Sequence, residues 1–180
     1  NPNHSEKFDF PKPHGGGTAY MNTIDKDGLG VSLIQSNFHG IGSRIGVGSF
    51  GFFLHNRGCG FNLDSKHPNY LTPGRKPLHT LSPTIWSKNG NLEFIAGTRG
   101  GRYQPQLLIQ TILPYIQKSD SFEKIIKEPR WVIENFSSET ISKLRFEKIN
   151  NENLEILLKK GHEVEVENKF NKAYGPISII

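Results

Sequence analysis

Three consecutive glycines, Gly15, Gly16 and Gly17, run directly into Thr18-Ala19-Tyr20-Met21-Asn22-Thr23-Ile24 and then into Asp25-Lys26-Asp27-Gly28. Glycine loses the most conformational freedom on ordering, so the run reads as a flexible approach and not as part of a helix. Tyr20, Asn22 and Ile24 alternate with Ala19, Met21 and Thr23, which suits a strand with both faces covered. Asp27-Gly28 is a strong two-residue hairpin signal, and Val31-Ser32-Leu33-Ile34 supplies the returning strand. A hairpin over residues 19 to 36 is therefore the fixed point on which the remaining chain has to pack.

Upstream, residues 1 to 17 are polar, contain Pro2, Pro11 and Pro13, and show no apolar period, so they read as a tail. His4 and His14 have no ligand spacing around them and are linker residues. Downstream, residues 37 to 80 carry many glycines and little regular pattern. A loop region this long is uncommon unless functional, and Phe50, Phe52, Phe53, Leu54 and Phe61 give it apolar surface to bury.

A second β-unit follows: a strand from Ser82 to Trp86, a turn at Lys88-Asn89-Gly90-Asn91, and a partner from Leu92 to Ala96. Gly100-Gly101 leads into a helix from Gln104 to Gln117 with Pro105 in its first turn. Leu107, Leu108, Ile109, Ile112, Leu113 and Ile116 make it apolar nearly all round, which predicts burial between layers. Pro114 is expected to kink it or end it early. A helix over Phe122 to Lys127, capped by Ser121 and stopped by Pro129, comes next. Strands at 131–134 and 144–146, a helix at 151–160 stopped by Gly161, and strands at 164–166 and 177–180 complete the chain. This mixture is an α+β pattern.

At 180 residues with 34% hydrophobic content, the chain can form an ordinary core. The net charge of +5 invites a nucleic-acid reading. Against it, the lysines from Lys118 to Lys172 are interleaved with Glu123, Glu128, Glu134, Glu139 and Glu147, as on a solvated mixed surface. No aromatic residues are set among a basic cluster. Cys59 is the single cysteine, which rules out an internal disulfide and a C-x-x-C metal site. It fits a reducing, cytoplasmic compartment. A secretory leader would lie upstream of a chain that starts inside a precursor. No apolar run approaches the roughly 20 residues of a membrane span.

Chemistry is carried first by Thr18. A threonine hydroxyl is a weak nucleophile, but at a chain terminus its own α-amine, with a pKa of about 7.7–8.0, can act as its base. That reading requires the Gly17–Thr18 bond to be cut; the alternative is an inert strand threonine. Gly100 and Gly101, between a strand and a helix start, can present two unobstructed N–H groups to an oxyanion. The alternative there is a plain strand-to-helix turn.

These residues occur in a series: the Thr18 strand with Asp25-Lys26-Asp27-Gly28, Gly40-Ile41-Gly42, Gly51-Phe52-Phe53-Leu54-His55-Asn56, Arg75-Lys76-Pro77-Leu78 with Ser82-Pro83-Thr84-Ile85, and Gly97-Thr98-Arg99-Gly100-Gly101. In this order they resemble the small subunit of gamma-glutamyltranspeptidases, a family of N-terminal nucleophile hydrolases, over roughly residues 15 to 180. The resemblance implies a four-layer αββα sandwich, here as a partial chain. Residues 1–17 are then the tail of a large subunit and its processing linker, and residues 18–180 the small catalytic subunit. The unturned apolar end at Ile177-Ser178-Ile179-Ile180 suggests C-terminal truncation.

The same resemblance implies autoprocessing at Gly17–Thr18, with Thr18 as nucleophile and Gly100 and Gly101 as the oxyanion hole. The substrates implied are γ-glutamyl amides such as glutathione, cleaved through an acyl-Thr18 ester. The large subunit of the same precursor is the implied partner in a heterodimer, and no metal or organic cofactor is implied.

Ser36 or Asn37 falls where members place polar residues that bond the nucleophile and the substrate. Ala19 and Tyr20 stand where many members have a second hydroxyl residue and a histidine. Members that hold a γ-glutamyl group commonly carry a carboxamide and an aspartate around positions 57 and 60, where this chain has Arg57 and Gly60. Their Ser-Ser pair for the α-carboxylate becomes His79-Thr80. Thr80 can still donate a hydrogen bond, and His79 or Arg57 could meet a carboxylate. One alternative keeps the mechanism and takes a glutaryl-type acyl group, as in cephalosporin acylases. Another is a structural or binding module that is never processed.

Overall fold

The computed structural model of the chain describes residues 17–117, 120–134, 143–167 and 170–180. The expected tail over residues 1–16, with His4 and His14, lies outside the described residues.

The architecture is α+β. Strands β1 (Thr18–Ile24) and β2 (Gly30–Ser36) form an antiparallel pair in which Thr18 faces Ser36 and Ile24 faces Gly30. Their turn closes because Asp25 Oδ1 accepts the N–H groups of Asp27 and Leu29, both at 2.9 Å, while Gly28 takes φ 84°. Strands β3 (Thr84–Lys88) and β4 (Asn91–Thr98) form the second hairpin. Asn89 and Gly90, at φ 53° and 83°, supply the two left-handed residues that a type I′ turn needs. Strand β8 (Ile177–Ile179) pairs with the free edge of β4. A third sheet joins β5 (Trp131–Ile133), β6 (Lys143–Phe146) and β7 (Glu163–Val166); β6 and β7 are parallel, bridged by α3 (Asn151–Lys159).

Strand β4 is covered on both faces, and its two-residue period assigns the partners. Phe94 and Ala96 meet Leu108 and Ile112 of helix α1 (Gln104–Ile116), with Trp86, Tyr115 and Phe122 around them. On the opposite face the β1–β2 hairpin comes so close that glycine is required twice. A Cβ on Gly97 would sit 2.1 Å from the Tyr20 ring, and one on Gly30 would sit 2.6 Å from Ile95 Cδ1. The described chain thus stacks helix, sheet and sheet.

The outermost faces depart from the sequence reading. Met21, Val31 and Leu33 on the far side of the hairpin stay about half exposed, so one face of β1 is covered and the other is open. Helix α1 likewise buries Leu107, Leu108 and Ile112 but leaves Ile109, Leu113 and Ile116 in contact with solvent. Periodicity reports which residues are apolar; it does not supply the layer that covers them. Pro114 lies inside α1, and the helix ends two residues later at Ile116. Helix α2 (Phe122–Ile125) is shorter than expected. Its first turn is met by the Ser121 carbonyl, not the hydroxyl, at 3.1 and 3.0 Å from the N–H groups of Lys124 and Ile125. Gly161 closes α3 as expected, at φ 83°.

Among the described residues, no helix is long and apolar enough to cross a membrane, and no group of three His, Cys, Asp or Glu side chains could hold a metal ion.

Candidate active site

Thr18 lies at the start of β1, where its side chain points to the covered face of the hairpin. Its Oγ1 is 2.8 Å from Ser36 Oγ, directly across the ladder. Ser36 Oγ also accepts the Phe38 N–H at 3.0 Å, which fixes the serine rotamer. Pairing extends one residue further: the Asn37 N–H donates to the Gly17 carbonyl at 3.2 Å. Both sides of the Gly17–Thr18 bond are therefore held by β2 and the residue that follows it. Gly17 is also confined, because a Cβ there would lie 1.9 Å from the Gly40 carbonyl oxygen.

The loop that returns past Gly17 is fastened by Asn56. Its Oδ1 accepts the His39 N–H at 3.0 Å, its Nδ2 donates to the carbonyls of His39 and Gly42 at 3.2 and 3.1 Å, and its own N–H donates to the Asn37 carbonyl at 3.1 Å. Gly42, at φ 84°, has no room for a Cβ because the Leu54 carbonyl oxygen would be 2.3 Å away.

Arg57 follows in a single 3₁₀ turn, Arg57–Gly60, and is only 6% exposed. Its Nη1 donates to Thr80 Oγ1 at 3.2 Å, and its Cζ lies 5.1 Å from the centre of the Phe38 ring. Arg57 Nη2 is buried and has no hydrogen-bond partner among the described residues. Burial pulls the Arg57 pKa below its ordinary value, partly offset by Cys59. Partial desolvation, then the Arg102 charge, then the Arg57 charge hold the His39 imidazole below its usual range. All three causes disfavour the protonated ring.

Gly100 and Gly101 sit at the C-terminal end of β4. Gly30, opposite Ile24 in the hairpin, packs on Leu92 and Ile95, and Tyr20 packs on Gly97. Moving from Ile24 toward Thr18 along β1 therefore moves toward Gly100 along β4. The two glycines take φ 129° and 56°, and neither N–H has a backbone acceptor among the described residues.

Of the residues singled out from sequence, Thr18, Ser36 and Asn37 come together directly, and Arg57 and Thr80 form a second cluster joined to them through Phe38. His79 stays at the surface, where its Nδ1 accepts the Leu81 N–H at 3.3 Å. Phe38, His39, Asn56 and Arg102 were not singled out. Only Asn56 left a trace in the sequence, as a polar residue closing the Gly51–Asn56 motif.

The chain matches the model of the family described as Gamma-glutamyltranspeptidase over residues 1–180. It is 36% identical over 170 residues to the glutathione hydrolase-like YwrD proenzyme of Bacillus subtilis, covering 94% of this chain and 32% of that protein. It is 34% identical over 169 residues to the oxamate amidohydrolase proenzyme of Klebsiella pneumoniae, covering 91% of this chain and 32% of that one. Among solved structures, the cephalosporin acylase of Bacillus halodurans superposes with a TM-score of 0.77 at 32% identity, over 89% of this chain and 29% of the acylase. The chain thus spans about a third of the length of these relatives.

Proposed function

Because this chain belongs to the gamma-glutamyltranspeptidase family, we propose that it carries the nucleophile of an amide hydrolase or acyltransferase that matures by cutting itself at Gly17–Thr18. The observation that supports this most directly is the Thr18 hydroxyl, hydrogen-bonded to Ser36 beside a Gly17 carbonyl that Asn37 holds.

In maturation, Thr18 Oγ attacks the Gly17 carbonyl carbon. The C–N bond breaks, the acyl group passes to oxygen as an ester, and the α-amine of Thr18 is released. Water then opens the ester, leaving a Gly17 carboxylate and a free Thr18 amine. In turnover that amine takes the proton of Oγ as Oγ attacks the substrate amide. The Ser36 hydroxyl can donate to Oγ as charge builds on it, and the carbonyl oxyanion is assigned to the Gly100 and Gly101 amides, whose lack of a backbone acceptor among the described residues supports that role. The leaving amine takes up a proton, and water, or less often another amine, collects the acyl group from Thr18.

The substrate class is an amide of a γ-glutamyl or similar dicarboxylic acyl group, glutathione among them. Ser36, Asn37, Arg57 and Thr80 line the site on this chain, and His79 stands at its surface edge. Residues 18–180 correspond to the small subunit, and 1–17 to the end of the large one. The large subunit completes the pocket and adds the fourth layer of an αββα sandwich against the exposed Met21, Val31 and Leu33 face.

The test is the intact mass of the full-length gene product after purification and incubation. Two fragments, the smaller beginning at Thr18, are expected, with the Thr18→Ala variant uncut. A single uncut chain in both would leave only a structural or binding module.

A further inference from the structure

We propose that Gln104 is a positioning residue, which holds the segment carrying Thr80 in register with the Gly100–Gly101 turn. This rests on the hydrolase reading above and deepens it, by naming the contact through which the two halves of the site act together.

Gln104 opens α1 directly after a single 3₁₀ turn, Gly101–Tyr103, and its own N–H donates to the Gly101 carbonyl. The Tyr103 N–H donates to the Gly100 carbonyl at 3.0 Å, so the glycine turn and the head of the helix form one bonded unit. From that unit the Gln104 side chain reaches across the site, where its Oε1 accepts the Ser82 N–H at 2.9 Å. Two residues before Ser82 stands Thr80, buried and bonded to Arg57 Nη1. Two residues after it, β3 begins at Thr84, whose Oγ1 donates to the Ala96 carbonyl of β4 at 2.6 Å. Among the described residues, no other hydrogen bond joins residues 79–82 to residues 99–104.

The chemistry of this side chain argues against a role in fold stability. Gln104 is 0% exposed, and its Nε2 is buried without an acceptor among the described residues. An unanswered buried N–H is costly, and a methionine of similar length fills the same space without one. That replacement exchanges the unanswered Nε2 for an unanswered Ser82 N–H, which belongs to a half-buried residue and is the cheaper of the two. Stability is therefore kept. Register is lost. The carbonyl under attack must meet the glycine amides while the far end of the acyl group rests at Thr80. A shift of about 1 Å between those supports can cost on the order of 10² in rate.

Gln106 supplies the contrast. Its Oε1 accepts the Ile133 N–H at 2.8 Å, and its Nε2 donates to the Ile133 carbonyl at 3.3 Å. Both ends of that amide are answered, and they tie α1 to β5.

The experiment compares Gln104→Met and Gln106→Met in the full-length protein by intact mass, thermal unfolding and steady-state kinetics. The substrate is whichever of the γ-glutamyl and glutaryl p-nitroanilides the wild type cleaves faster. Gln104→Met should cut at Gly17–Thr18 at the wild-type rate, because maturation uses no acyl substrate. Its Tm should stay within about 2 °C of wild type. Its kcat should fall by roughly 10- to 100-fold with KM within about threefold, since each half of the site still binds its own end of the substrate. Gln106→Met should do the reverse, losing several degrees of Tm and keeping kcat.

An unchanged kcat in Gln104→Met overturns the proposal. So does a loss of kcat that accompanies a loss of Tm and appears equally in Gln106→Met, which would mark both glutamines as supports of the fold. An uncut wild-type chain removes the hydrolase reading itself, and this proposal with it.

Discussion

The Gly17 carbonyl oxygen accepts the Asn37 N–H at 3.2 Å, one step beyond the last paired residues of the hairpin, Thr18 and Ser36. The bond proposed to be cut is therefore held at both ends before any chemistry begins. A hydrogen bond to that carbonyl also withdraws charge from the carbon that Thr18 Oγ is proposed to attack.

Gly17→Ala should slow maturation without unfolding the chain. The new Cβ falls 1.9 Å from the Gly40 carbonyl oxygen, so the strand end must shift. A displacement of about 1 Å can cost on the order of 10² in rate. Time-resolved intact mass should show a cut at least tenfold slower than wild type, with unchanged circular dichroism.

Ser36→Ala removes one hydroxyl that serves both Thr18 Oγ1 and the Phe38 N–H. A hydrogen bond to a group that gains charge is worth about 1.5–3 kcal/mol, so kcat should fall by roughly 10- to 150-fold with little change in KM. Ser36→Thr keeps the hydroxyl and should stay within about threefold of wild type. Steady-state kinetics on the self-cut protein decide between these outcomes.

Gly97→Ala tests the contact that sets β1 against β4. The methyl would enter the Tyr20 ring at 2.1 Å, and overpacking of this kind costs about 1–3 kcal/mol. Since β1 carries Thr18 and β4 leads to Gly100, the variant should lose both thermal stability and activity. A lowered Tm with full activity would show that the two strands tolerate separation.

Glu147 provides a pH-dependent prediction away from the site. Its carboxylate is 2% exposed and accepts hydrogen bonds from the backbone and guanidinium of Arg130 and from the Asn171 N–H. Burial pushes its pKa up, but these donors and the Arg130 charge outweigh it and hold the value below the ordinary 4.5. A depressed carboxylate stabilises the fold above its unfolded pKa and loses that contribution as the pH falls through the folded one. Glu147→Gln leaves Arg130 without its counter-charge and should cost about 3–5 kcal/mol at pH 7. That deficit should shrink below pH 4.5 in urea titrations run at a series of pH values.

The hairpins and helices were legible because each is written in local chemistry. Asp25 bonds its own turn, Asn89-Gly90 supplies two left-handed residues, and Gly161 ends α3. The partners of Thr18 were half legible: the ladder places Ser36 opposite it, but sequence alone could not choose between Ser36 and Asn37. The ladder uses both, one through a hydroxyl and one through a backbone amide. Phe38 was not legible, since nothing local asks a phenylalanine to take φ 77°; contact with a distant arginine accompanies it there. Asn56 was hidden for the same reason, as its acceptors lie 14 to 17 residues away. The open faces of α1 and of the β1–β2 pair show the same limit from the other side.

The pairing of Thr18 with Ser36 bears on how maturation should run in time. Severing the peptide bond on one side of Thr18 leaves its other contacts to β2 in place, so the new terminus is born docked. On the proposed mechanism, no search, folding or subunit encounter then separates the cut from competence. Activity should appear with a single exponential that tracks the cut chain without lag, and its rate constant should be indifferent to dilution.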